Sequence, residues 1–426
     1  MLYARWQQTL SLHRDEAAMV DAVSGATWTF AALQQSLDSL PALAAGALHV
    51  ASMADGVLAF VIRTLWAWRD GAVLCPMERE GGCVPDVRGM PAGIAHLKMT
   101  SGSTGEPRTV MFRAGQLAAD AENIRRTMGL DRACPNVAVI SLAHSYGFSN
   151  VVLPLLLQGH PLMMVPDALP SSQRAACDRG CRVTVPAVPA MWRAWWKSGL
   201  IKDMPIALAI SAGAPLPLEV ERGVFEETGV KIHNFFGSSE CGGIAYDRTY
   251  TPREDAALAG TAMDGVTLGL REGGRLVVES AAAGEGYWPS GDESLGGGRF
   301  VTTDLVELQD GAVLMRGRVS DAINIAGRKL NPTEVEAALL SCEGVRHCVV
   351  FGAPSADAAR FEDTIACVNA AEDITPARLS SWLGERLQTW QLPRKYWLCP
   401  ELTPNGRGKI SRTEWRERWL SGHKAG

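Results

Sequence analysis

The sequence predicts an α/β protein: a large N-terminal domain of mostly parallel sheets flanked by helices, a small β subdomain, and a small α+β C-terminal domain. Three observations predict it. Short β-type runs alternate with helix-period stretches from about His96 to Phe236. Gly-rich turns separate short strands from Gly260 to Arg318. After Arg318 the chain changes again, with Asn331-Pro332 and Thr375-Pro376 each opening a helix on an N-cap followed by Pro.

The predicted strands of the first region are His96–Thr100, Thr109–Phe112, Val137–Leu142, Leu162–Val165, Arg182–Val185, Ile206–Ser211 and Ile232–Phe236. Helical periods fill Gln116–Met128 and Leu218–Thr228. In the second region Val306–Leu314 reads as a hairpin on the Asp310-Gly311 turn, because Asp-Gly tolerates the positive φ of a tight turn. In the third, strands are expected at His347–Phe351, Thr364–Val368 and Tyr396–Cys399.

A chain of 426 residues exceeds one compact core. The boundary falls near Val319-Ser320, giving residues 1–319 as one domain, with the β subdomain at about 250–319, and residues 320–426 as the other. Net charge is −5 with no long basic run, so neither nucleic acid nor an anionic membrane is an expected partner. The first residues lack the apolar core of a signal peptide, and the run Val151–Leu157 is too short to span a bilayer. The expected location is cytoplasmic. The ten cysteines form no CxxC pair, and the lone Cys177/Cys181 spacing has no second pair to complete a zinc site, so all read as reduced thiols.

Four segments carry chemistry. Met99–Arg108 packs Thr100, Ser101, Gly102, Ser103, Thr104 and Gly105 between two β-type runs. Its glycines let backbone N–H groups turn towards an anion, and Arg108 adds a charge. The segment suits a triphosphate but lacks the Lys-Ser/Thr of the GxxxxGK[ST] loop. By itself it is equally a polar turn. In Asn234–Glu240 a strand ends in aromatics and a turn presents a carboxylate, suited to stacking a purine and holding Mg²⁺. Asp304 precedes Arg318 by one hairpin, and together they could clamp a ribose. Lys409, on the Gly-rich run Pro404–Ile410, could reach a distant anionic centre. Taken singly, the last three also read as surface turns.

Their order decides between these readings. With Ser141–Gly147, Ser211–Leu216, Gly327 and Glu334-Val335-Glu336, these motifs succeed one another over roughly residues 96–412 as in the ANL superfamily of adenylate-forming enzymes, which the sequence resembles. That family contains acyl- and aryl-CoA ligases, carrier-protein-loading adenylation domains and luciferases. The resemblance implies ATP-dependent activation of a carboxylic acid to acyl-AMP, then transfer to the phosphopantetheine thiol of CoA or an acyl carrier protein.

The same resemblance implies roles. Thr100–Arg108 would close on the β- and γ-phosphates. Gly213, Ala214 and Pro215 with Asn234, Phe235, Phe236 and Gly237 would hold adenine. Ser239 would sit near the α-phosphate, Glu240 would contact Mg²⁺, and Asp304 and Arg318 would bind ribose. Lys409 would bridge substrate carboxylate and α-phosphate. The C-terminal domain would swing about a hinge at Ser320, bringing Gly327 to the thiol channel. The acid pocket would be lined by His144, Tyr146, Phe148, Ala212, Gly213, Phe235, Gly237 and Gly243, suiting an aromatic or short to medium acyl chain; core packing competes for Tyr146 and Phe148.

Arg108 replaces the family's usual Lys, and Thr302-Thr303-Asp304 replaces Thr-Gly-Asp. Ser320 stands where the family has Asp or Lys, and the stretch from Pro76 to His96 is short. Trp192, Trp195 and Trp196 lie at helical spacing and read as core. A monomer or homodimer is expected. An adenylating enzyme with an amine acceptor and a non-catalytic nucleotide-binding relative are the competing functions. Retention of Lys409, Glu240, Asp304 and Arg318 together opposes the second.

Overall fold

The computed structural model describes residues 1–79, 84–100, 108–177, 180–326, 328–355, 357, 362–405 and 410–422. Of Ser320 the backbone alone is described. The protein is mixed α/β, with sheets in the large N-terminal part and a small C-terminal part built on its own sheet.

One continuous 14-stranded sheet, among the described residues, runs through most of the N-terminal part. Its parallel centre places Ile232–Ser238, Ile206–Ser211, Val183–Ala187, Asn136–Val137, Leu162–Met164 and Ala17–Asp21 side by side. The β-rich region from 258 to 318 extends this sheet rather than standing apart: Gly242–Tyr246 pairs antiparallel with both Ile232–Ser238 and Leu258–Ala262. The predicted hairpin forms between Arg299–Gln309 and Ala312–Arg318. Asp310 and Gly311 both take positive φ, 51° and 80°, as a two-residue turn matched to strand twist requires.

Two expectations are corrected. The hairpin of Ile94–Thr100 and Arg108–Arg113 is antiparallel and belongs to a second, five-stranded sheet with Gly286–Trp288, Val73–Met77 and Leu48–Ser52. The predicted strand Val137–Leu142 stops at Val137. Residues 138–142 fold back instead, so closely that a Cβ on Gly147 would lie 2.1 Å from the Ser141 carbonyl oxygen.

Trp192 and Trp195 are fully buried in one core cluster, as their spacing predicts. The C-terminal part packs helices Pro332–Leu340, Pro376–Gly384 and Arg412–Gly422 on the sheet of Val345–Pro354, Glu362–Ala370 and Lys395–Leu398. Its apolar clusters are separate from those of the N-terminal part. Both predicted caps form: Asn331 accepts from the Thr333 N–H and Thr375 from the Arg378 N–H. Among the described residues, no helix is long and apolar enough to cross a membrane.

Candidate active site

Thr100 and Arg108 face each other as the last described pair of the hairpin, and the Thr100 hydroxyl donates to the Arg108 carbonyl at 3.1 Å. The ladder therefore fixes both ends of the predicted phosphate loop. The loop residues Ser101, Gly102, Ser103, Thr104 and Gly105 lie outside the described residues, as do Lys409 and Gly327.

Arg108 is held on two sides. Its guanidinium sits 3.4 Å from the centre of the Tyr287 ring and pairs with Asp292. Tyr287 arrives because Gly286–Trp288 adds to the edge of the hairpin, setting Tyr287 opposite Val110. The Tyr287 hydroxyl donates to Glu240 Oε1 at 3.2 Å, and burial pushes its pKa up. Glu240 is thus joined to Arg108 through one aromatic ring. Its turn is fixed by the Glu240 N–H donating to Ser238 Oγ and by the Gly284 N–H donating to the Glu240 carbonyl. Ser239, half-buried, precedes it.

The predicted adenine residues lie at the ends of adjacent parallel strands. Ile206–Ser211 runs into Ala212 and Gly213, where φ of +87° turns the chain towards Ala214 and Pro215. Next to it, Asn234 donates to the Ala259 carbonyl at 3.1 Å, while Phe235 is buried and Phe236 half-buried. Gly237 leaves no room for a side chain, since a Cβ would lie 2.7 Å from the Gly242 carbonyl oxygen. Behind these strand ends sits a buried charge cluster. Lys231 donates to Glu221 and to Asp247, and Arg253 donates to Glu221 at 2.8 Å and to the Leu216 carbonyl at 2.7 Å. The cluster ties the end of the Ala212–Leu216 turn to the sheet.

Asp304 and Arg318 are cross-strand partners joined by a 2.7 Å bond from Arg318 Nε. The Asp304 carboxylate, foremost among its surroundings, raises the Arg318 pKa. Arg318 also lines a cleft of about 280 Å³ with Arg316, Asn331, Glu334, Trp390 and Gln391, between the hairpin and the C-terminal part. Asn331 reaches across by donating to the Arg316 carbonyl at 2.7 Å. Ser320 lies in the short turn Val319–Asp321. Beside it Asp321 pairs with Arg412, which also grips Glu336 at 2.7 Å and the Val350 carbonyl.

The predicted acid-pocket residues fall into three places. Tyr146 packs 5.8 Å from Phe235, its hydroxyl directed at the Ala187 and Ile210 carbonyls, and Gly243 abuts Phe235. His144 lies 3.5 Å from Glu78, whose carboxylate also accepts from Ser141. Phe148 turns into the core, with its ring near His96 and Phe60. Sequence reasoning missed Tyr287, Asp292, Glu78 and Arg412. Each meets its partner only through distant chain pairing, so no local spacing could have revealed it.

The family profile described as "AMP-binding enzyme" matches residues 84–288, and that described as "AMP-binding enzyme C-terminal domain" matches residues 334–409. A feruloyl-CoA synthase of an Amycolatopsis species is 27% identical over 357 residues, covering 78% of this chain and 71% of the relative. A 4-hydroxybenzoate–CoA/benzoate–CoA ligase of Rhodopseudomonas palustris is 26% identical over 383 residues, covering 83% and 69%. Among solved structures, ATP-bound MatB from the same organism shares the fold, with a TM-score of 0.83 at 20% identity over 98% of both chains. The o-succinylbenzoate CoA synthetase MenE of Bacillus subtilis, in complex with its acyl-adenylate, aligns with a TM-score of 0.80 at 18% identity over 97% of both chains. Two family profiles in sequence order and a fold shared end to end with adenylating enzymes establish that this chain belongs to the ANL superfamily of adenylate-forming enzymes.

Proposed function

We propose that this enzyme is an acid–thiol ligase that activates an aromatic or short to medium-chain carboxylic acid with ATP, releases pyrophosphate, and passes the acyl group from AMP to a phosphopantetheine thiol. The relatives named as CoA synthases and ligases of aromatic acids support CoA as the thiol and an aromatic acid as the substrate. A carrier protein would present the same thiol. A cytoplasmic setting accords with the free cysteines among the described residues.

The observation that carries this reading is the position of Glu240. It accepts from Tyr287, which supports Arg108, and its charge is within electrostatic reach of Arg318 and of Lys98. The phosphate-loop anchor, the ribose pair and the acid-pocket segment therefore surround one carboxylate.

In the proposed mechanism Thr100 and Arg108 position the loop on the β- and γ-phosphates, Asp304 and Arg318 hold the ribose, and the strand ends at Gly213 and Phe235 take adenine. Mg²⁺, when bound, would neutralise charge between the phosphates. Glu240 fits that role, since among the described residues Tyr287 bonds its Oε1 and no donor bonds its Oε2. No group of three or more His, Cys, Asp and Glu side chains able to hold a metal occurs among the described residues, so phosphate oxygens and water would complete the shell. The substrate carboxylate is itself the nucleophile. Lys409 would offset the negative charge that gathers as it attacks phosphorus. Rotation of residues 320–426 against residues 1–319 about Ser320 would then exchange Lys409 for Gly327 at the thiol channel.

A pyrophosphate-exchange assay over aryl and fatty acids tests the first half-reaction. Exchange with at least one acid class is expected; ATP binding without exchange for any acid would favour a nucleotide-binding protein instead.

A further inference from the structure

Lys98 is a cation buried where a sheet strand ordinarily carries an apolar side chain. It lies two residues before Thr100 and is 6% exposed. Its ammonium donates to Ser145 Oγ at 3.1 Å and stands 4.5 Å from the centre of the Phe112 ring. Among the described residues it has no carboxylate at ion-pair distance and no second hydrogen-bond acceptor. An ammonium carries three N–H donors, so its donor capacity is unfilled.

Two residues earlier on the same strand face, His96 is fully buried with both ring nitrogens unpartnered. Its ring centre lies 4.4 Å from that of Phe148, and burial holds its pKa well below the usual imidazole value. His96 is therefore neutral, and burial also lowers the Lys98 pKa against the opposing charges of Asp120 and Glu240. One carboxylate within electrostatic reach of Lys98 is Asp120, 1% exposed, which accepts from Ser149 Oγ at 2.5 Å and from the Gly243 N–H at 3.3 Å. The group borders the proposed acid pocket directly: Ser145 lies between His144 and Tyr146, and Gly243 is a pocket residue.

Buried donors without acceptors are uncommon in folded proteins because they forgo their bonds to water. Here they cluster beside a substrate site, which points to a partner that arrives with the substrate. Charge selects the partner. Asp120 and Glu240 both lie within electrostatic reach of Lys98, so a second substrate carboxylate would add to negative charge already there, whereas a neutral oxygen would not.

We infer that Lys98 determines acid specificity by donating a hydrogen bond to a neutral hydroxyl oxygen on the substrate, remote from its reacting carboxylate. The acid is then a hydroxylated aromatic acid. This rests on the acid-activation reading above and narrows its substrate class.

The test measures kcat/KM in pyrophosphate exchange for benzoic acid, its 3- and 4-hydroxy derivatives and terephthalic acid, with wild type and Lys98→Met. Wild type should prefer one hydroxy acid over benzoic acid by about 100-fold or more, as sites built around a substrate hydroxyl do. Lys98→Met should remove most of that preference by raising KM for the hydroxy acid far more than KM for benzoic acid. Equal loss for every acid would make Lys98 merely structural and overturn the assignment. Wild type alone also decides: no hydroxyl preference, or a preference for terephthalic acid, overturns it even if the variant fails to fold. If no acid supports exchange, the activation reading fails. Calorimetric binding of the same acids to wild type then tests Lys98 separately, with hydroxyl-independent binding as the contrary result.

Discussion

The guanidinium of Arg108 rests 3.4 Å from the centre of the Tyr287 ring, and the hydroxyl of that ring bonds Glu240 at 3.2 Å. A cation proposed for the phosphates and a carboxylate proposed for the metal are thus spaced by one rigid aromatic group. Tyr287→Phe keeps the ring and removes the hydroxyl. It should raise the Mg²⁺ concentration needed for half-maximal exchange roughly 3- to 10-fold, the net effect of about one ordinary hydrogen bond. Magnesium titrations of initial rate read this directly, and an unchanged midpoint would remove Tyr287 from the site.

The Asp304–Arg318 pair makes a prediction about the nucleotide sugar. Asp304→Ala should raise KM for ATP about 10- to 100-fold, corresponding to lost charge-assisted hydrogen bonds. Wild type should favour ATP over its 2′-deoxy analogue, and the variant should favour it much less. Stability should change little, because Arg318 is 55% exposed and water can replace its partner. Equal discrimination by both proteins would place the ribose elsewhere.

Behind the adenine strands, Glu221 is fully buried between Lys231 and Arg253. Glu221→Gln leaves Lys231 paired with Asp247 but Arg253 buried without a carboxylate, and should destabilise the fold by about 3 kcal/mol. Chemical denaturation checks the value; a loss under about 1 kcal/mol would contradict the assigned pairing.

Arg412 ties the turn that holds Ser320 to Glu336 and to the helix just after the Lys409 segment. Arg412→Met should slow adenylate formation while leaving ATP affinity within about 2-fold, because the residue touches no proposed nucleotide contact. A double-mutant cycle with Glu336→Gln should return a coupling of about 1–3 kcal/mol in stability. Independent, additive effects would show that the two do not act as a pair.

What was legible in the sequence was local or ordered. The Asp310-Gly311 turn, the Asn331 and Thr375 caps and the strand Ile206–Ser211 follow from propensities acting within a few residues. The order of motifs assigned Thr100, Glu240, Asp304 and Arg318 to one proposed site, and the structure sets Asp304 opposite Arg318 and Thr100 opposite Arg108. Long-range closure was not legible. Residues 138–142 carry strand-forming side chains, yet the strand ends at Val137 and Ser141 comes to lie against Gly147. Gly286–Trp288 joins a hairpin nearly two hundred positions earlier, and only that pairing delivers Tyr287. Lys98 lies within the predicted strand His96–Thr100, and no local spacing showed that its side chain would be buried.

The central claim is that ATP is cleaved between its α- and β-phosphates by a substrate carboxylate. Chromatography of the nucleotide products, with mass spectrometry of the acyl species in the absence of any thiol, tests it most directly. AMP-linked acid and pyrophosphate should form, with AMP and a thioester appearing once CoA is added, and Lys409→Ala should abolish both. ADP and inorganic phosphate as products, or undiminished adenylate formation by Lys409→Ala, would contradict the account.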